Sequence, residues 1–269
     1  MPYLESPDAK LFYTIDDHTD PWTKPETVLF VHGFTETGEA WRAWVPHFSR
    51  SYRMVRIDQR GFGRSGPVAK DFQLTTELFV DDLVRLINHV SPDEPVHVVG
   101  GKSGGISVAV LAATRPDLVR TITLASSIVT PPSGDGWIDH MERHGMRSWA
   151  RMTMRKRLGS KMPERGIDWW VDLMGATAVS TAHAYLRWVG AIDIREDIRR
   201  IKCPTLVIGT NAAGKDREAL SAWQKTIPNS ELAILPIDGY HSAGTDPDGA
   251  AKVTLEFLAR HKGAAARTS

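Results

Sequence analysis

The sequence predicts an α/β fold: a mostly parallel central sheet flanked by helices, with a block of helices inserted late in the chain. Three observations lead there. Short continuous apolar runs alternate with stretches of helical periodicity; one run enters a glycine-bracketed serine and leaves it as a helix; and a long interval without strand patterning is rich in Trp and Met.

Near the N-terminus, Lys10-Leu11-Phe12-Tyr13-Thr14-Ile15 alternates as a hairpin strand does. Thr27-Val28-Leu29-Phe30-Val31, bounded by Pro25 and His32-Gly33, is apolar at every second and intervening position, as a strand buried on both faces must be. Arg53 to Ile57 repeats the pattern and runs into the glycine-dense loop Asp58-Gln59-Arg60-Gly61-Phe62-Gly63-Arg64-Ser65-Gly66. Between Thr76 and Val90, Leu78, Val80, Leu83, Leu86 and Ile87 fall at helical spacing. His97-Val98-Val99 is a strand and Ile106 to Thr114 a helix, stopped by Arg115-Pro116; Thr121 to Ala125 is the next buried strand.

The rhythm breaks from Ile128 to about Glu196. Trp137, Met141, Met146, Trp149, Met152, Met154, Trp169, Trp170, Leu173, Met174 and Trp188 lie there among helix-forming residues. The expectation is a core domain of residues 1–127 and 197–269 and a helical cap of residues 128–196, with some of its apolar side chains facing a cleft. The strand pattern resumes at Pro204 to Gly209 and at Glu231 to Leu235, with helices over Arg217 to Thr226 and Ala250 to Leu258.

Composition narrows the function. In 269 residues the net charge is +1, and the pI is near 7.9, which gives no reason to expect nucleic acid or an anionic membrane as partner. A small-molecule substrate is the expected partner; monomer and homodimer both stay open. The single cysteine, Cys203, precedes a strand and reads as core packing. The N-terminal residues show no basic stretch followed by an apolar one, and no run is long enough to span a membrane, so a cytoplasmic protein is expected.

Gly101, Ser103 and Gly105 spell Gly-x-Ser-x-Gly at a strand-to-helix junction. Glycine on both sides of one serine suits a turn so tight that a Cβ would collide with the returning chain, which lifts the hydroxyl into a cleft: a nucleophile elbow. With His32-Gly33-Phe34 upstream, Asp58-Gln59-Arg60-Gly61-Phe62-Gly63-Arg64-Ser65 between and Gly239-Tyr240-His241 downstream, the chain resembles the α/β-hydrolase family over residues 27 to 260.

That resemblance implies Ser103 as nucleophile and His241 as its base, with the N–H groups of Phe34 and Gly104 as the oxyanion hole. His32 is a rival base, but the family uses that histidine to shape its loop. The acid is expected just beyond Val207-Ile208-Gly209, where the sequence reads Thr210-Asn211-Ala212-Ala213-Gly214-Lys215-Asp216. Asp216, which could equally cap the helix at Arg217, and Asn211, which could orient an imidazole, are the candidates; Asp238 is too close in sequence to His241 to face its ring. Lys102 departs from the family pattern; with Trp137, Trp169 and Trp188 it is a candidate substrate contact. No metal or cofactor is implied.

Serine at the elbow argues against dehalogenase and epoxide hydrolase chemistry, which need aspartate there. The expectation is hydrolysis of a small, largely apolar carboxylic ester or lactone through an acyl-enzyme. The alternatives are carbon-carbon bond hydrolysis of a diketone-like substrate and a non-catalytic small-molecule receptor on the same fold.

Overall fold

The computed structural model describes residues 2–132, 136–212 and 217–263. Eight strands form one sheet: β1 (Tyr3–Ser6), β2 (Ala9–Asp16), β3 (Thr27–Val31), β4 (Arg53–Ile57), β5 (Val96–Gly101), β6 (Val119–Ala125), β7 (Thr205–Thr210) and β8 (Ser230–Leu235). Their spatial order is β1-β2-β4-β3-β5-β6-β7-β8, antiparallel at β1/β2 and β2/β4 and parallel from β4 to β8.

The continuous apolar runs exist because both faces of this sheet are covered. Leu29 and Val31 of β3 join one core with Val98, Ile122 and Val207, while Val28 and Phe30 join the opposite core with Trp41, Trp44, Phe48 and Met54. Period-two alternation therefore sorts one apolar run between two cores. The first core takes α2 (Thr76–Val90) and α3 (Gly104–Thr114); the second takes a 3₁₀ turn over Gly38–Trp44, α1 (Val45–Phe48) and α10 (Pro247–Arg260). Helix α2 starts where Thr75 accepts a hydrogen bond from the N–H of Leu78, a side-chain cap. Cys203 is buried, and burial pushes its thiol up to about 11, as a packed core residue requires.

Between β6 and β7 the chain is helical: α4 (Trp137–Leu158), α5 (Glu164–Gly175), α6 (Val179–Val189) and α7 (Arg195–Arg199). Gly145 takes a φ of 80° inside α4 and bends it. The short α8 (Arg217–Gln224) and α9 (Ser242–Thr245) complete the chain, α9 following the loop that carries His241. Among the described residues no helix is long and apolar enough to cross a membrane.

A buried ion pair ties the N-terminal hairpin to this body. Arg60, in the glycine-dense loop, binds Asp82 of α2 through Nε at 2.9 Å and Nη2 at 2.8 Å, and its Nη1 donates to the carbonyl of Pro7. Both side chains are almost fully buried. Removing one partner strands the other charge, so Asp82→Ala should lower the unfolding free energy by about 3–5 kcal/mol. Urea denaturation checks this; a loss under about 1 kcal/mol would mean that water reaches Arg60 and replaces the carboxylate.

Candidate active site

The turn after β5 shows which residue stands at its apex. Lys102 has a φ of 50°, in the left-handed region that side chains seldom adopt, whereas Ser103 is right-handed with φ of −71°. A Cβ on Gly100 would lie 2.7 Å from the Cα of Gly105, and one on Gly104 would overlap the carbonyl oxygen of His32. The glycines two before and two after Lys102 are thus the ones the tight turn requires. Gly105 has a separate reason: a Cβ there would overlap the Ser127 side chain. Adjacent glycine pairs permit two readings of the motif, and the folded turn places Lys102 at its apex and Ser103 one residue later.

No hydrogen bond joins Ser103 to His241. The Ser103 hydroxyl accepts from the N–H of Phe34 at 3.1 Å and from the Tyr185 hydroxyl of α6 at 2.8 Å. Burial pushes the Tyr185 phenol above its usual pKa, so it serves as a donor and not as a base. The ring of Tyr185 stacks on Phe34 with centroids 4.9 Å apart. The Phe34 N–H, expected to meet a substrate oxygen, is directed at the oxygen of Ser103.

His241 instead faces Glu36. Its Nε2 lies 2.9 Å from Glu36 Oε1, and its Nδ1 accepts from the N–H of Gly244 at 3.2 Å, which leaves the ring proton on Nε2. The same Oε1 holds the Lys102 ammonium, and Oε2 accepts from the N–H of Gly33 at 3.1 Å. Thr35, at a φ of 63°, curls the loop after β3 so that Glu36 turns back onto the elbow. Burial alone would raise the Glu36 carboxyl, but Lys102 and His241 hold it well below the usual range; it is a carboxylate. Burial, then the Lys102 charge, push His241 below the usual imidazole value, so it is neutral.

The other expected residues fall as follows. Asp216 lies outside the described residues. Asn211 is exposed, its N–H donating to the carbonyl of Ile237 at 3.1 Å, and Asp238 accepts from the N–H of Ser160 at 3.0 Å, away from the ring. His32 accepts from the N–H of Gln59 at 2.9 Å and thereby fastens the β3 and β4 loops together. Of the tandem tryptophans, Trp170 packs on His241 at 4.8 Å, while Trp169 lies beneath Arg42. Trp188 donates to Thr76 and packs on Tyr185 at 4.9 Å; Trp137 packs on Trp149 at 5.3 Å. Glu36 and Tyr185 escaped the sequence reading. Glu36 had a signal, standing three residues beyond His32-Gly33 in a loop already singled out; Tyr185, inside a helical stretch, had none. Among the described residues no group of three His, Cys, Asp or Glu side chains could hold a metal ion.

Three buried histidines give the fold a pH dependence. His32, His97 and His241 are all pushed down, by burial first, from the ordinary value of 6.5. As pH falls below 6.5 the unfolded chain takes up protons that the folded chain refuses, so stability is complete above that point and is lost below it. The unfolding free energy should fall by about 1.4 kcal/mol per pH unit for each such histidine. Urea titrations from neutral to mildly acidic pH measure the slope; a flat profile would show these rings to be protonated when folded.

The geometry has counterparts. The sequence pattern of the family described as alpha/beta hydrolase fold matches residues 26–159. "Probable oxidoreductase EphD" of Mycobacterium tuberculosis is 31% identical over 173 residues, which span 62% of this chain but 29% of that protein. The chain thus aligns with less than a third of that relative. The "2-hydroxy-6-oxo-6-(2'-aminophenyl)hexa-2,4-dienoic acid hydrolase" of Metapseudomonas resinovorans is 26% identical over 257 residues, covering 88% of this chain and 85% of that one. Among solved structures, the enol-lactonase from Burkholderia xenovorans superposes with a TM-score of 0.86 at 20% identity, covering 96% of this chain and 100% of the other. At that identity the likeness concerns the fold. Sheet order, elbow and sequence pattern agree: the chain belongs to the alpha/beta hydrolase fold family.

Proposed function

We propose that this chain is a hydrolase of a small carboxylic ester or lactone that works by acid-base catalysis across Glu36 and attacks with water, not through an acyl-serine. One observation carries the reading: a single carboxylate oxygen touches both the Lys102 ammonium at the elbow apex and the Nε2–H of neutral His241. Among the described residues no base forms a hydrogen bond with Ser103, and its two partners are donors.

The substrate carbonyl oxygen takes the place now filled by the Ser103 oxygen, meeting the Phe34 N–H and the Tyr185 hydroxyl; the Ser103 hydroxyl turns to donate to it. Such donors act on charge that develops only in the transition state. Glu36, held in place by the Nε2–H of His241, takes a proton from the attacking water, and Lys102 gives a proton to the departing alkoxide. Glu36 then passes its proton to the Lys102 amine, and the resting charges return.

A second reading is favoured by Lys102 itself. With an ester an amine forms an inert amide, but with a ketone it forms an imine that water can reverse, which suits hydrolytic carbon-carbon cleavage of a diketone-like substrate. Borohydride reduction in the presence of pentane-2,4-dione would fix that imine as a mass gain on Lys102; no gain rules this reading out.

The test of the leading reading uses a chromogenic butanoate ester. Lys102→Met should lower kcat by at least ~10³-fold, and Ser103→Ala by about 10²-fold, the loss of one oxyanion donor. No burst of released alcohol should precede the steady state. A burst stoichiometric with enzyme, lost in Ser103→Ala together with all turnover, would restore the acyl-serine mechanism and overturn the proposal; ligand binding with no turnover of any ester would support the receptor instead.

A further inference from the structure

Among the described residues, buried guanidinium groups come with carboxylates, except one. Arg56 is paired with Asp16 at 2.8 Å and with Glu39 at 3.2 Å, and Arg60 with Asp82 at 2.8 Å. Arg157, near the end of α4, is 4% exposed, yet among the described residues it forms no ion pair. Its Nε donates to Thr153 Oγ1 at 3.0 Å; its Nη2 is buried and has no hydrogen-bond partner.

What surrounds Arg157 is aromatic. Its guanidinium carbon lies 5.0 Å from the ring centre of Trp149, 5.7 Å from that of Tyr240 and 6.0 Å from that of Trp137. Ring faces attract a cation by about 0.5–2 kcal/mol each, while drawing a charge out of water costs several kcal/mol with no counter-ion to offset it. A cage of this kind is unfinished: it holds a cation and lacks the anion.

The cage also adjoins the reaction centre. Tyr240 precedes His241, the main-chain carbonyl of Arg157 accepts the His241 N–H at 2.9 Å, and Trp149 packs on Phe34 with ring centres 5.5 Å apart. Phe34 supplies the N–H that meets Ser103. On its outer side Trp137 also lines a surface cleft of about 420 Å³ with Pro132, Ile138, Leu186 and Val189. Trp137 thus belongs both to the wall of the cleft and to the cage around Arg157.

We propose that Arg157 binds a carboxylate on the substrate, so that the compound hydrolysed is an anionic one: a dicarboxylic half-ester or a lactone bearing a carboxylate. The inference rests on the reaction proposed for the elbow. A carboxylate fits the planar fork of a guanidinium, and the tryptophan walls exclude the water that would otherwise weaken the pair. The rest of the substrate extends from the cage toward Phe34, which puts the reacting carbonyl a short apolar spacer from the anion.

Monomethyl and dimethyl glutarate provide the comparison, since they differ in one methyl group and one charge. Wild-type protein should favour the half-ester in kcat/KM by at least ~10-fold, the low end for a hydrogen bond to a buried charge. In Arg157→Met that preference should collapse to near unity, through KM more than kcat, and Arg157→Lys should keep part of it. Binding is read separately: glutarate should change the fluorescence of Trp137 and Trp149 in wild-type protein near neutral pH and not in Arg157→Met. If Arg157→Met fails to fold, the wild-type preference and Arg157→Lys still decide.

Equal treatment of half-ester and diester by wild-type protein overturns the proposal. So does a fluorescence response to inorganic phosphate as strong as that to glutarate, which would mark a general anion site. Glutarate binding that needs Arg157, with no hydrolysis of either ester, upholds the carboxylate site and sinks only the reaction proposed at the elbow.

Discussion

The carboxylate of Glu36 is the constraint on which the centre of this molecule depends. It is almost fully buried; the Lys102 ammonium and the Nε2–H of His241 keep it ionised, and the N–H of Gly33 donates to its other oxygen. A buried carboxylate with one fewer donor would take up a proton or drag its loop outward. Each neighbour in turn depends on the carboxylate. Lys102 could not be carried into a closed site without a counter-ion, and His241 would have no partner to fix its ring. The arrangement balances charge and orientation in one place, and the strained turn at Lys102 is held by what its side chain touches.

Much of this scaffold is legible in the chain. The runs Thr27–Val31, Arg53–Ile57 and Thr205–Thr210 are apolar because each is covered on both faces, and that period survives any tertiary detail. Helix α2 announces itself by spacing and by its threonine cap. The stretch from Trp137 to Val189 is helical as its composition suggested, although which of its many aromatics reach the elbow depended on helix rotation that sequence spacing alone does not fix. Trp170 touches His241 and its neighbour Trp169 does not, a difference of one helical step.

The site was harder to read for a definite reason. Gly100-Gly101 and Gly104-Gly105 offer two overlapping brackets, one around Lys102 and one around Ser103, and only backbone geometry chooses between them. Glu36 and His241 are 205 residues apart, so no local pattern joins them. Asp216, sought as the acid after β7, lies outside the described residues, and the carboxylate that His241 meets among the described residues belongs to the loop after β3. A bridge between distant loops is a product of topology, and sequence spacing carries no record of it.

The hydrogen bond from Tyr185 to Ser103 has a thermodynamic implication for any ligand. It ties helix α6 to the elbow, at the same Ser103 oxygen that the Phe34 N–H meets, and the Tyr185 ring stacks on Phe34. A compound that uses that N–H must displace the Ser103 hydroxyl, so it binds only the fraction of molecules in which that hydroxyl has turned away. Apparent dissociation constants then exceed intrinsic ones by the inverse of that fraction. Weak binding of a small fragment would report the work of parting two helices as much as the quality of its own contacts, and a compound that spans both ends of the cleft would recover that work once for all of its contacts.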